Sequence, residues 1–468
     1  TGVTVAQQPY SPTVGNLEKR EHFRDMKFGV FIHWGLYSMP ADGEWIMNNK
    51  NIHHAEYARL AKGFYPGAFN AEQWVADVKA AGAKYICITS RHHDGFSMFA
   101  TKQSSFNIVD ATPFGRDIVA ELAVACHKEG IKLHFYYSLL DWSHTDYFPL
   151  GRTGKGVGRT KQGEWERYHR FMLAQLTELL TNYGEIGAIW FDGMWDQPAD
   201  FDWRMREIYD HIHSLQPACL IINNHHLAPL EGEDGQTFEK DLPGQNSSGY
   251  SGTATVGILP LETCETMNRT WGYSLTDNHY KSTEELIRYL VRAAGSNANL
   301  LMNVGPRPDG TFPESALERY HAMGDWLKIF GESIYGTRGC SPALGSNYPE
   351  GKQAFCAYPE STRRDVVPAF GREKDKGRQM VCRWRRASLY ACFRRHSVAD
   401  RSFRGGCGPR GGDSAAIGNP AQRLMQSTKA RDNKNPVRDV CFREGSRAPP
   451  PRLLMLCMIE KNRRKRNR

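Results

Sequence analysis

The first 340 residues alternate short apolar runs with longer amphipathic ones, and that rhythm restricts the chain to folds built from β-then-α units. Runs rich in β-branched and aromatic residues at 28–34, 84–90, 132–138, 188–192, 219–223 and 299–304 predict buried strands. Stretches 71–81, 117–128, 164–182 and 282–294 predict helices between them. In 164–182, for example, Phe171, Leu173, Leu176, Leu179 and Leu180 make one apolar stripe. Units repeated this often predict an α/β fold, a (β/α)8 TIM-like barrel. A doubly wound open sheet is the competing architecture, but no strand is followed by a Gly-rich dinucleotide turn.

The rhythm stops near residue 340, and so does the charge balance. Residues 1–340 hold 31 Lys+Arg against 40 Asp+Glu, whereas 341–468 hold 29 against 11, so the overall +9 belongs to the tail alone. Cysteine divides nearly the same way: Cys87, Cys126, Cys219 and Cys264 are scattered through the first 300 residues and read as packing residues of a reduced core, while the other seven fall between Cys340 and Cys457. The expected organisation is therefore a catalytic barrel over 1–340 and a patternless basic Arg/Cys/Pro-rich tail over 341–468. A nucleic-acid arm would suit the charge, but the tail lacks aromatic interleaving and Cys/His ligand spacing, so no nucleic-acid partner is expected. A disordered extension is a second reading. Abrupt enrichment without pattern favours a third, a coding frame lost after Gly336-Thr337-Arg338-Gly339, which sequencing the coding DNA would test. No stretch reaches the length of a membrane span, and Thr1-Gly2-Val3 opens neither a basic n-region nor an apolar h-region.

Chemically useful residues gather where the predicted strands end. Phe31-Ile32-His33-Trp34-Gly35 closes the first, Arg91-His92-His93-Asp94-Gly95-Phe96 follows the second, and Tyr136-Tyr137-Ser138 closes the third. Trp190-Phe191-Asp192 and Asn223-Asn224-His225-His226 close two more. Barrel enzymes assemble their sites at strand C-termini, so five strands are expected to serve one rim. Alternation puts Trp190 and Asp192 on one side and Phe191 on the other. Each residue also has a plainer role: Trp34 reads best as core, and Asp192 before Gly193 could shape a turn. All the plain roles would have to hold at once to dissolve the cluster. A catalytic metal would need two His spaced H-x-H so that both face inward; here the pairs are adjacent, which is expected to turn one imidazole of each pair away, so no metal or other cofactor is expected.

These residues, with Gly43-Glu44-Trp45, Leu261-Glu262-Thr263-Cys264, Trp271-Gly272-Tyr273 and the run Asn299 to Pro306, make residues 20–340 resemble a glycoside hydrolase family 29 α-L-fucosidase. The resemblance implies a barrel followed by a β-sandwich, whose place the tail occupies here. It also implies a retaining exo-glycosidase acting on a fucosylated oligosaccharide or glycoconjugate, and a periplasmic or secreted setting. Asp192 would be the nucleophile, and a second carboxyl about 5 Å away the acid/base. His33, His92 and His93 would donate to sugar hydroxyls, Glu44 would accept from one, and Trp45 and Tyr136 would shape the ring's surroundings. Trp190 and Trp271 would face the C5 methyl. For the acid/base, Glu262 sits in a recurrent family motif, Glu239 on a loop suited to reaching over a sugar, and Glu265 nearby. Gln245 occupies a position where relatives are expected to carry Glu, and an amide there could not protonate a leaving oxygen. A fucose-binding protein of the same fold with impaired turnover, or a barrel glycosidase for another sugar, are the alternatives.

Overall fold

The computed structural model describes residues 9–250 and 255–339, together with four short strands between 357 and 392. Eight parallel strands form a nearly closed barrel: β1 (Phe28–Ile32), β2 (Tyr85–Arg91), β3 (Lys132–Ser138), β4 (Ala188–Asp192), β5 (Leu220–Asn223), β6 (Gln236–Glu239), β7 (Leu261–Thr266) and β8 (Ala298–Val304). Their order runs β5-β4-β3-β2-β1-β8-β7-β6. The seam between β5 and β6 is held by a parallel bridge from Ile222 to Gly235 and by the N–H groups of Asp234 and Gly235, which both donate to Ile221 O.

Strand alternation divides the core into two shells. Phe31, Cys87, Tyr136, Trp190, Ile222 and Leu301 point into the barrel, whereas their neighbours Val30, Ile86, Phe135, Ile189, Ile221 and Leu300 pack outward against helices. The helices are α1 (Val14–Met26), the short α2 (Ile46–Asn49) and α3 (His54–Ala58), then α4 (Ala71–Ala80), α5 (Ile118–Glu129), α6 (Trp165–Thr181), α7 (Met205–Leu215), α8 (Thr283–Gly295) and α9 (Glu314–Phe330). Their starts are written locally: Asn70 and Asp117 cap α4 and α5, and Ser282 with Glu285 forms a capping box on α8. Helix α1 closes the N-terminal end of the barrel with Phe23 and Met26, and Asn299 Nδ2 on β8 donates to Phe23 O at 2.6 Å. The opposite end is left to the loops after the strands. Among the described residues no helix is long and apolar enough to cross a membrane.

Two strands depart from the sequence reading. β6 and β7 are six residues or shorter, with Gln, Thr and Glu among them, and no helix separates them, so neither apolar periodicity nor β-α alternation marks them. Glu239 consequently ends a strand instead of riding on a free loop. The four cysteines of the barrel are buried and unpaired with one another, as expected of packing residues.

Within 341–468, where no periodicity was expected, strand β10 (Ala357–Pro359) pairs antiparallel with β9 (Thr337–Gly339). In a separate unit, β11 (Ala369–Phe370), β12 (Val381–Arg383) and β13 (Tyr390–Cys392) form a small antiparallel sheet. Pieces of two or three residues are too short to give a periodic signal. The rest of that region, and with it the expectation about its reading frame, lies outside the described residues.

Candidate active site

Asp192 is fixed from several directions at the end of β4. Its Oδ1 accepts from Gly193 N (2.8 Å), Trp195 Nε1 (2.9 Å) and Asn224 Nδ2 (3.4 Å). Its Oδ2 accepts from Tyr136 OH at 2.9 Å and lies 3.5 Å from His93 Nε2. Gly193, at φ 93°, makes the tight turn that brings Trp195 back over the carboxylate. Burial raises the Asp192 carboxyl above its ordinary range, and the donors from Trp195, Tyr136 and Gly193 oppose that rise.

His92 and His93 both reach the pocket, contrary to the expectation from strict alternation. β2 ends at Arg91, so the pair lies in a turn to which the strand rule no longer applies. That turn is anchored by the buried Arg91 guanidinium, which donates to Asp141 Oδ2 (2.9 Å), Ser138 O (2.6 Å) and Tyr168 OH (2.9 Å). Gly95 completes it at φ 80°, where a Cβ would stand 2.4 Å from Asp141 Oδ1. His92 stacks on Tyr136 with ring centroids 5.3 Å apart, and His33 meets His92 edge-on at 5.6 Å.

Burial pushes His33 and His93 down to about 3 and His92 well below its ordinary value, so all three are neutral. Their neighbours then select the tautomers. Asn303 Nδ2 donates to Trp271 O (2.7 Å), which leaves Asn303 Oδ1 facing His33 Nδ1 at 2.7 Å. Ser138 Oγ likewise donates to Leu140 O (2.6 Å) and so accepts from His93 Nδ1 at 2.7 Å. Both rings then carry their proton on Nδ1 and leave Nε2 as an acceptor, that of His93 standing 3.5 Å from Asp192 Oδ2. In that tautomer Nε2 of His33 and His93 can accept a hydrogen bond, whereas the family resemblance implied that these rings donate.

Aromatic rings wall the space above Asp192. Trp45 packs edge-on to His93 at 5.5 Å and stacks with Trp195 at 5.9 Å, while Trp271 lies 5.2 Å from His33. Glu44 Oε2 accepts from the N–H groups of Trp271 (3.1 Å) and Gly272 (2.7 Å), which ties the Trp271 loop to the segment after β1. Trp34 is fully buried against Phe64, Phe69 and Trp74, the core position expected of it.

The candidate acid/base groups separate by position. Glu239 accepts from Asn224 Nδ2 at 2.9 Å, the same nitrogen that reaches Asp192. Burial first, and the Asp192 charge second, push its carboxyl up to about 7. Asp192 and Glu239 keep 13% and 16% of their side-chain surface open. Glu262 is instead sealed inside the barrel beneath Trp190, with no exposed surface. Its Oε1 accepts from Trp190 Nε1 (2.8 Å) and its Oε2 from Tyr85 OH (2.7 Å). Glu265 lies 3.4 Å from Lys281 Nζ, and Gln245 is exposed on the loop after β6. Among the described residues no group of three or more His, Cys, Asp or Glu is arranged to hold a metal ion.

A pocket with one strongly anchored carboxylate, a second carboxyl beside it, neutral imidazole acceptors and aromatic walls suits a sugar. The family model described as "Alpha-L-fucosidase" matches residues 1–332.

The chain belongs to the α-L-fucosidase family.

It is accordingly a glycoside hydrolase. Plasma α-L-fucosidase of Rattus norvegicus is 33% identical over 364 residues, covering 70% of this chain and 73% of that protein. α-L-Fucosidase of Dictyostelium discoideum is 28% identical, covering 71% and 76%. Among solved structures, α-L-fucosidase isoenzyme 1 from Paenibacillus thiaminolyticus superposes with a TM-score of 0.67 at 32% identity, covering 79% of this chain and 86% of that one. The Lactobacillus casei α-L-fucosidase in complex with α-L-fucose product gives 0.59 at 32% identity, covering 67% and 98%.

Sequence reasoning about this fucosidase assigned no role to Trp195, Asn224, Ser138 or Asn303. Asn224 and Asn303 stood inside motifs already singled out, but nothing in their type showed that an amide would bridge two carboxyls or fix a tautomer. Trp195 needed the Gly193 turn to be seen first.

Proposed function

We propose that the enzyme is an exo-acting, retaining α-L-fucosidase that releases terminal α-L-fucose from glycans through an ester on Asp192, with residues 1–340 as its catalytic unit. Asn224 carries the reading: one amide nitrogen contacts both Asp192 and Glu239, so the two carboxyls face the same small space. Retaining pairs stand about 5 to 5.5 Å apart, close enough to serve one anomeric centre without a water between them.

The two carboxyls are told apart by their donors. Asp192 has four, from Gly193, Trp195, Asn224 and Tyr136, and so holds its negative charge. Glu239 has the Asn224 amide and a rise to about 7, which keeps a proton on it near neutrality. Of the two Asp192 oxygens, Oδ1 takes three donors and Oδ2 one, so Oδ2 keeps the lone pair for attack. As the Asp192 Oδ2 bond to the anomeric carbon forms, the bond to the leaving oxygen breaks and Glu239 gives that oxygen its proton. Glu239 then takes a proton from water, whose oxygen attacks the anomeric carbon and frees Asp192 as carboxylate. His33 and His93 accept from sugar hydroxyls, His92 and Tyr136 line the floor, and Glu44 holds Trp271 against the ring. Trp45 and Trp190 complete the aromatic surround, and Glu262 acts by fixing Trp190 from below.

Because Glu239 supplies the carboxyl, the exposed Gln245 does not reduce the protein to a fucose-binding module. A variant of the Lactobacillus casei enzyme was solved with Fuca(1,6)GlcNAc, which makes that disaccharide a first substrate to try. Incubation with 2-deoxy-2-fluoro-α-L-fucosyl fluoride should add one sugar mass to the peptide containing Asp192, and to none in Asp192→Asn. NMR of a fresh aryl α-fucoside reaction should show α-fucose first; β-fucose first refutes the retaining reading.

A further inference from the structure

Next to Glu239 lies a pair of rings that the scheme above leaves unused. His226 follows β5 in the left-handed backbone region, at φ 64°, a conformation that non-glycine residues seldom adopt. This places its Nε2 3.8 Å from Glu239 Oε2. Tyr250, on the loop after β6, stacks on the His226 ring with centroids 5.8 Å apart and planes at 24°. Tyr250 is 48% exposed, so the stack has an open face. Through that stack Tyr250 adjoins the ring that stands next to Glu239, and burial together with the charges of Glu239 and Glu44 holds its phenol above the ordinary value.

We propose that His226 and Tyr250 form the leaving-group subsite, an aromatic wall that takes the apolar face of a neutral hexopyranose joined to fucose. The inference rests on Glu239 being the acid, because the sugar that receives its proton must lie on the same side as that carboxyl. A pyranose presents C–H groups on one face and hydroxyls at its edges, and a stacked ring pair desolvates that face while leaving the edges in water. A large, half-exposed tyrosine one ring away from Glu239, propped by a strained histidine, is poorly explained by core packing. It offers the contact that fucose alone cannot use.

Tyr250→Ala tests this with substrates that differ only in the leaving group. Relative to its effect on α-L-fucosyl fluoride, the change should raise KM for Fuca(1,6)GlcNAc by a further roughly 3- to 10-fold. Tyr250→Phe, which keeps the ring, should restore the parent ratio. Equal changes on the fluoride and the disaccharide overturn the proposal, and so does a Phe variant no better than Ala. Calorimetry on Asp192→Asn gives a second measure without turnover: the disaccharide should bind more tightly than fucose, and adding Tyr250→Ala should erase that advantage. If the parent leaves the fluoride intact, the reading of Asp192 as a working nucleophile in a fucosidase fails, while the calorimetric difference still decides the subsite.

Discussion

Glu262→Gln should separate the carboxyl beneath the pocket from the carboxyl that faces it. In the parent, Trp190 Nε1 and Tyr85 OH donate to the two oxygens of a fully buried side chain. Burial raises its pKa from an ordinary 4.5 to about 7, a shift worth ~3 kcal/mol between folded and unfolded chains. An acid whose folded pKa is raised contributes its stability in full below the unfolded value and loses it as pH rises through the folded one. The parent should therefore lose ~3 kcal/mol from this group between about pH 4.5 and about pH 7.

Glutamine can keep Trp190 on Oε1 and donate from Nε2 to Tyr85 OH, which then turns its own proton away, at a cost of about 1 kcal/mol at every pH. The variant should melt slightly below the parent in acid and above it, by the equivalent of ~2 kcal/mol, in mild alkali. Asp94 and Glu239, also raised to about 7 by burial, are common to both proteins and cancel in the difference. Thermal melts of the two at matched pH on either side of the window give that difference directly. A gap that does not change with pH refutes the buried-charge argument. A loss of roughly 10²- to 10⁴-fold on fucosyl disaccharides would instead place the proton donor at Glu262.

Three further outcomes follow from the same geometry. Glu239→Gln should lose roughly 10²- to 10⁴-fold in kcat on fucosyl disaccharides and much less on aryl fucosides with good leaving groups. It should also abolish the alkaline fall in kcat/KM, which in the parent lies near the Glu239 value of about 7. Asn303→Leu strands the His33 Nδ1 proton in a buried site, costing about 1 to 3 kcal/mol; inhibition by free fucose should weaken, with the parent constant refuting the tautomer assignment. Arg91→Met leaves Asp141 as an unpaired buried carboxylate, and a thermal melt should report about 3 to 5 kcal/mol of lost stability.

What the sequence made legible follows the physics of each element. Strands buried on both faces, such as 132–138, announce themselves by apolar runs, and helices such as 164–182 by their stripe; together they were enough for the barrel. β6 and β7 carry Thr237, Glu239, Glu262 and Glu265, and those polar side chains erased the apolar pattern that would have marked them. Side-chain direction was legible only while the backbone stayed extended. Alternation correctly separated Trp190 from Phe191 but failed at His92 and His93, which lie past the end of β2. Hydrogen-bond direction was not legible at all, since the tautomers of His33 and His93 depend on Asn303 and Ser138, residues distant in the chain.

The two candidate acids show why an unusual pKa does not by itself identify the proton donor. Glu239 and Glu262 are both raised to about 7, and for both the first cause is burial. Glu262 spends its two oxygens on Tyr85 and Trp190 and has no open surface, so a proton on it cannot be handed to a bound substrate. Its energy is expressed in packing: it holds the indole on which Tyr136 stacks at 5.6 Å, and Tyr136 in turn donates to Asp192. Glu239 takes a donor from the Asn224 amide, keeps an open edge, and feels the Asp192 charge, so in the proposed cycle its proton would stay on while Asp192 is an anion and be released more readily once that charge is consumed in an ester. That exchange would supply the change of role, acid then base, which a retaining cycle demands of one carboxyl.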